Sequence, residues 1–357
     1  MSSIWTPARL GEIELANRLV MAPMTRSRAL PNGVPGPLAA EYYSQRAAVG
    51  LIVSEGTQPS DDGQGYALTP GVYTDAHVAG WKKITDAVHE KGSRIFVQLM
   101  HVGRLSHPDN TPHHRQALAP SAIAPNEKIF TLTGLQTVPE PRAMTAQDIR
   151  QTIADFANAA KRAVEAGADG VEIHGANGYL VQQFIAPNAN QRADEYGGSV
   201  ENRARFAIET ARAVADAIGA NRTGIRISPH ATLGGLQEGP EGPDLYRYLV
   251  GELDRAKLAY LHVMQLGDEA LLGDLRKLWH QSLIVNRPGR AVEDIGADVA
   301  KGNADLESFG QLVLCNPDFV ERVRNGQPMN TADRSTFYGG GEKGYIDYPS
   351  ARVAAAQ

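Results

Sequence analysis

Eight short apolar runs of β-like character punctuate the chain, each followed by a loop and then, in most units, an amphipathic stretch of helical period. No other feature narrows the fold so far. The runs are Leu19–Pro23, Leu51–Glu55, Arg94–Leu99, Gly170–His174, Gly224–Ser228, Leu258–Met264, Ser282–Asn286 and Asp305–Gly310. Strands that alternate with helices pair in parallel, because the returning helix must cross the sheet face. Eight such units in 357 residues predict an α/β fold, a (β/α)8 TIM barrel with insertions. A doubly wound open sheet is the alternative pattern. The helix signals are explicit over Gln147–Ala166, where Ile149, Ile153, Phe156, Ala160 and Val164 step by three or four. Thr145 with Asp148 three residues on reads as the N-terminal cap, and Gly167 as the stop. A second helix follows Ser199, with Phe206, Ile208, Val214 and Ile218 on its apolar side.

Two segments stand outside the repeat. Residues 4–16 read as a β-hairpin cap on the N-terminal mouth of the barrel. Residues 100–145, rich in proline and histidine, form an extended loop after strand 3. They are placed either over the C-terminal mouth, where barrel enzymes keep their chemistry, or as a surface flap. Residues 1–357 together read as one domain.

Composition closes off several classes. Apolar residues at 42% and charged residues at 21% suit a packed globular chain, and a net charge of −5 gives no footing for nucleic acid or an anionic membrane. One cysteine, Cys315, excludes an internal disulfide and fits a reducing, cytoplasmic setting. The start, MSSIWTPARLGEIEL, lacks an apolar leader core, and no run of about 18 apolar residues occurs. His101, His107, His113 and His114 lack a frame with ligand spacing, so no metal site is expected. Neither a P-loop nor a G-x-S-x-G elbow nor a G-x-G-x-x-G fingerprint occurs, so the chain has no nicotinamide domain of its own. The glycines of Tyr338–Tyr345 read as a flexible C-terminal loop.

Strand alternation carries the functional signal. Ile95, Val97 and Leu99 oppose Phe96, Gln98 and Met100; Val171 and Ile173 oppose Glu172 and His174; Ile225 and Ile227 oppose Arg226 and Ser228. The aliphatic faces belong on the outer helices, so Gln98, Glu172, His174 and Arg226 point into a barrel interior normally filled by branched apolar side chains. Glu172 and Arg226 are expected to pair. Gln98, His174 and Arg226 near the C-terminal strand ends suggest a polar ligand.

The stretch HGANGYLVQQFIAPNANQRADEYGGSVENRARF, from His174 to Phe206, resembles the signature of the old yellow enzyme family. The likeness continues through APMTRSRA at Ala22, GYALTPG at Gly65, QLMHVGR at Gln98, GIRISP at Gly224, CNPDFVERVRNG at Cys315 and GYIDYP at Gly344. Thr25 is similar to the main branch of the family and unlike its thermophilic branch. The resemblance implies FMN lying across the barrel mouth, with NADPH or NADH as reductant. It implies Pro23, Met24 and Thr25 beside the ring with the Thr25 hydroxyl donating to a ring carbonyl, Gly56 leaving room for close approach, Gln98 on the pyrimidine edge and Arg226 near N1. His174 and Asn177 would hold the substrate oxygen, Tyr179 would be the proton donor, and Tyr66, Met100 and Tyr345 would line the substrate pocket. Met100 stands where a tryptophan is common.

Two loops depart from the family pattern. Where a Gly-Gly turn usually follows the seventh strand, this chain has Asn286-Arg287-Pro288-Gly289-Arg290. Where an arginine usually follows Phe-Gly after the eighth, it has Phe309-Gly310-Gln311. These elements would hold the FMN phosphate, so Arg287 or Arg290 is expected to supply the missing cation. The implied activity is reduction of the C=C bond of α,β-unsaturated carbonyls, and of nitroalkenes, by a monomer or homodimer. A flavin-poor barrel acting as a binding or scaffold protein is the rival from another class, and an FMN hydroxyacid oxidase is a third.

Overall fold

The computed structural model describes residues 3–351; the two residues before and the six after, part of the expected single domain, lie outside them. Eight parallel strands close into a barrel: β1 (Leu19–Met21), β2 (Leu51–Val53), β3 (Arg94–Leu99), β4 (Gly170–Gly175), β5 (Thr223–Ile227), β6 (Tyr260–Met264), β7 (Ser282–Asn286) and β8 (Leu306–Phe309), which returns to β1. The open-sheet alternative is thereby excluded. Each strand is followed by an outer helix: α1 (Ala39–Gln45), α2 (Asp75–His89), α3 (Ala146–Glu165), α4 (Val200–Ile218), α5 (Gly242–Arg255), α6 (Glu269–Leu278), α7 (Ala297–Lys301) and α8 (Phe319–Asn325). Helix α3 starts as its sequence indicates. Thr145 accepts from the Asp148 N–H while the Asp148 carboxylate takes the Thr145 N–H, a reciprocal capping box.

Strand alternation sorts the two cores. Ile95, Val97, Val171, Ile173, Ile225, Leu261 and Val285 face outward into one continuous cluster with the helices. Inward, at the N-terminal end, Val20, Leu51, Val53, Phe96, Tyr260, Ile284 and Leu306 form a second, smaller cluster. The antiparallel hairpin Ala8–Leu10/Ile13–Leu15 joins that cluster through Ala8, Leu10 and Leu15, and so plugs the barrel from below. Space for the interior rings comes from glycine: a Cβ at Gly224 would fall 2.3 Å from the Tyr260 ring.

Residues 100–145 carry two small β-ribbons, Leu118–Ala119 with Arg142–Ala143 and Lys128–Thr131 with Gly134–Thr137. Their inner portion packs Met100, Val102 and Leu105 against Tyr66 and Tyr179. The Arg104 guanidinium donates to the carbonyls of Ile123 and Gly234, tying the excursion to the loop after β5. The C-terminal segment is fastened in a comparable way. Arg26 donates to the carbonyls of Phe337, Thr336 and Gly344, and Arg28 to those of Phe337, Thr336, Gly341 and Lys343. The paired arginines just after Thr25 thus latch residues 336–344 to the loop that leaves β1.

Candidate active site

The upper half of the barrel interior is polar, and its groups are bonded in sequence around the wall. Gln98 Nε2 donates to Glu172 Oε1 at 2.8 Å, and His262 Nδ1 lies 2.8 Å from Glu172 Oε2. His262 Nε2 lies 2.8 Å from the Ser308 hydroxyl. Asn286 Nδ2 donates to the Ser308 carbonyl, and Asn286 Oδ1 accepts from Arg226 at 3.1 Å. Burial would raise the Glu172 carboxyl, but His262, the Arg226 charge and the Gln98 amide hold it below the ordinary value, so it is ionised. Burial in turn keeps His262 neutral against the pull of Glu172. An ionised carboxylate only accepts, so Nδ1 of His262 carries the proton and Nε2 accepts from Ser308. The same logic fixes Gln98: its NH2 end is held by Glu172, which leaves its carbonyl oxygen and second N–H for the cavity above. The expected Glu172–Arg226 pair is therefore corrected. Glu172 is satisfied by an amide and an imidazole, and it offsets Arg226 through space without a hydrogen bond.

Above this belt a cavity of about 290 Å³ is lined by Pro23, Met24 and Thr25 from the β1 loop, Gly56 after β2, and Gln98 and Met100 from β3. His174, Asn177 and Tyr179 from the β4 end close its far side, and Gln311, Leu314, Phe337 and Tyr338 complete it. A second cavity, about 490 Å³, adjoins it and shares Pro23, Asn177 and Gln311; Arg226, Asn286, Arg287, Pro288, Gly289, Arg290, Gly310 and Arg334 also line it. Local backbone geometry aims the β4 residues. Asn177 sits at φ +57°, a region that asparagine tolerates, and Gly178 at φ +83° lies where a Cβ would fall 2.3 Å from the Leu233 carbonyl. The turn brings Tyr179 back over His174, ring centroids 5.0 Å apart and edge-on. The Tyr179 hydroxyl donates to that of Tyr66 at 3.2 Å. Burial, then the neighbouring Tyr66 and Tyr338, push the Tyr179 phenol well above its ordinary value, so it keeps its proton. Burial, then the Arg226 charge, drives His174 well below its ordinary value, so the imidazole is neutral, with one donor and one acceptor nitrogen.

Tyr345 is a correction. It does not line either cavity: its ring stacks on Tyr42 at 4.2 Å beneath the Arg26 and Arg28 guanidiniums, and it is 1% exposed. The aromatic that reaches the cavity from this segment is Tyr338, with Phe337 beside it. The GYIDYP stretch serves the latch, and the preceding FYGG serves the site. Arg287 and Arg290 are a second correction. Both line the cavity, but neither is a free cation. Arg287 pairs with Glu269 and Asp298, and Arg290 with Asp298 and Glu307. Burial would raise Asp298, yet the two guanidiniums bring it down to about 2. Sequence reading missed His262, Phe337, Tyr338 and Arg334. Only His262 left a usable signal, since Tyr260 and His262 alternate with Leu261 and Val263 as Glu172 and His174 do with Val171 and Ile173.

Residues 3–330 match the family model described as the NADH:flavin oxidoreductase / NADH oxidase family. The chain belongs to that family, the old yellow enzymes. It is 42% identical to a probable flavin mononucleotide-dependent alkene reductase of Leishmania infantum, over 96% of each chain. It is 41% identical to 12-oxophytodienoate reductase 1 of Oryza sativa subsp. japonica, over 96% of this chain and 92% of that one. Among solved structures, morphinone reductase in complex with tetrahydroNAD superposes with a TM-score of 0.94 at 44% identity, covering 98% of both chains. The old yellow enzyme homologue of Zymomonas mobilis gives 0.94 at 36%, covering 98% and 99%. The flavin-poor scaffold alternative finds no support among them.

The cofactor of an old yellow enzyme is FMN, and the residues here fit it. Three buried polar atoms facing the joined cavities, His174 Nδ1, Asn177 Oδ1 and Arg226 Nε, have no hydrogen-bond partner among the described residues. Each would cost about 1–3 kcal/mol if it stayed unmet. A Cβ at Gly56 would fall 2.5 Å from the Met100 sulfur, so glycine keeps that wall open. An anion-stabilising cation, an amide with donor and acceptor, and two linked cavities suit a flat heterocycle with a charged tail.

Proposed function

We propose that this FMN oxidoreductase reduces the C=C bond of α,β-unsaturated carbonyls, and of nitroalkenes, with NADPH or NADH as electron source. The observation that carries the reading is the convergence of His174, Asn177 and Tyr179 on one cavity, two with side chains free to bind a single oxygen and the third a protonated phenol. Bound FMN supplies the hydride that reaches the β-carbon. His174 and Asn177 each aim an N–H at the carbonyl or nitro oxygen, polarise the alkene and stabilise the negative charge that develops there. A neutral imidazole beside Arg226 donates without adding charge to the pocket. Tyr179 then delivers its phenolic proton to the α-carbon, and the Tyr66 hydroxyl beside it can hydrogen-bond to the phenolate left behind. Pro23, Met24, Thr25, Gly56, Gln98, Arg226, Asn286, Gly310 and Gln311 are the groups we assign to the cofactor; Tyr66, Met100 and Tyr338 shape the substrate side. A cytoplasmic site of action fits the lone Cys315, which is buried with its thiol pushed up by burial.

The test is spectroscopic. The purified protein should be yellow, NADPH under nitrogen should bleach it, and cyclohexenone should restore the colour. Protein that carries no flavin, or that bleaches but is reoxidised only by oxygen across a panel of enones and nitroalkenes, would overturn the assignment.

A further inference from the structure

We propose that Arg334, on the C-terminal segment, is the residue that binds the phosphate monoester of the flavin in this chain; the inference rests on the FMN reading above. In (β/α)8 barrels a phosphate sits among the loops after strands 7 and 8 and a helix N-terminus nearby. Here the arginines of those loops are already engaged. Arg287 and Arg290 are shared among Glu269, Asp298 and Glu307, so two cations face three carboxylates and the group is net negative. The N–H groups at the start of α7 are taken as well: Glu307 accepts from Gly296 at 2.8 Å, Asp298 at 2.8 Å and Val299 at 3.2 Å. Gln311 offers a neutral amide where the family pattern has a guanidinium. Arg226 is fully buried in the polar belt, bonded to Asn286 and balanced by Glu172, and belongs to the ring end.

That leaves one cation at the cavity with neither an ion pair nor a side-chain hydrogen bond among the described residues, and it is Arg334. Its backbone is not free to wander. Asp333 caps the turn Arg334–Thr336 through the Ser335 N–H, and Arg26 and Arg28 bond the carbonyls of Thr336 and Phe337 immediately beyond. The same short segment therefore presents Tyr338 to the ring cavity and Arg334 to the adjoining one. A guanidinium fork matches a phosphate dianion with two N–H donors, and an anion entering a net-negative cluster needs such a cation.

Two phosphates could use this group, that of the flavin and those of the nicotinamide nucleotide, and the experiment separates them. Full-length protein loaded with FMN or with riboflavin is diluted, and flavin release is followed by fluorescence for wild type, Arg334→Ala, Arg334→Lys and Arg290→Ala. We expect wild type to hold FMN more tightly than riboflavin and Arg334→Ala to lose about 10- to 100-fold in FMN affinity. Riboflavin affinity should be unchanged, and Arg334→Lys should recover part of the discrimination. Equal losses for both flavins would make Arg334 structural and overturn the proposal. So would unchanged FMN affinity with a raised KM for NADPH, which assigns it to the reductant, or loss of discrimination in Arg290→Ala alone. A wild-type protein that retains neither flavin would instead overturn the FMN reading itself.

Discussion

The two ends of the barrel interior are built on opposite terms. Below, Val20, Leu51, Val53, Phe96, Tyr260, Ile284 and Leu306 meet the plugging hairpin in an apolar layer. Above, Gln98, Glu172, His174, Arg226, His262, Asn286 and Ser308 are all buried, yet polar. The lower layer returns free energy through burial and close packing, and its residues are defined chiefly by volume. The upper layer returns little, because each desolvated group must be matched by a partner. At the cavity three buried polar atoms are left unmatched among the described residues, on His174 and Arg226 of this layer and on Asn177 just above it. The same eight strands thus carry a stabilising half and a working half, and substitutions should separate them.

The largest effect is expected at the working end. Tyr179→Phe keeps the ring that packs on His174 and Tyr66 and removes only the proton. Flavin reduction by NADPH should be unaltered, while reoxidation by cyclohexenone should slow by about 10²–10⁴. Rapid-mixing absorbance at the flavin band measures both halves; equal slowing of the two would make the residue structural. At the other end, Phe96→Ala should cost about 3–5 kcal/mol in denaturant unfolding. The folded fraction should still turn over near the wild-type rate, because Phe96 packs beside Tyr260 in the lower, apolar cluster.

How far the sequence foretold this division depends on whether a feature is local. The eight units, the α3 capping box and the inward set Gln98, His174 and Arg226 follow from alternation and period along single strands and helices. What failed required knowing which strands and loops meet. Glu172 faces Arg226 in pattern, but the barrel brings Gln98 and His262 closer. Arg287 and Arg290 read as free cations until Glu269, from a helix two strand–helix units earlier in the fold than β8, and Glu307 fold against them. Tyr345 and Tyr338 are indistinguishable as loop tyrosines; the latch arginines, some three hundred residues away, decide which one is core.

A third test lies where the two regimes touch. Glu55 follows β2, is 5% exposed, and accepts from the Arg26 N–H at 3.1 Å and the Tyr43 hydroxyl at 3.4 Å. Burial raises its carboxyl to about 7, against the opposing pull of Arg26. Because the folded value is raised, the native state holds a proton that the unfolded chain releases, so stability falls as pH climbs from about 4.5 to about 7 and is level above. At about 1.4 kcal/mol per pH unit the loss is on the order of 3 kcal/mol. Glu55→Gln should remove that slope, gaining on wild type between pH 5 and pH 8 in urea unfolding; parallel pH profiles would show that Glu55 does not hold the proton.

The smallest effect should come from Glu172→Gln, and it bears most directly on the contrast between the layers. The substitution keeps shape and an acceptor for Gln98 but removes the negative charge that offsets Arg226. Arg226 would then act more fully on the flavin, favouring its reduced, more negative form, and the FMN midpoint potential should rise by about 30 mV, a tenfold shift for a two-electron couple. Val53→Ala in the apolar layer should lower stability by roughly 1–3 kcal/mol and leave the potential where it was. A potential that stays fixed in Glu172→Gln, or moves equally in both variants, would mean that the belt's charges do not reach the cofactor and that the upper layer, like the lower one, acts by packing alone.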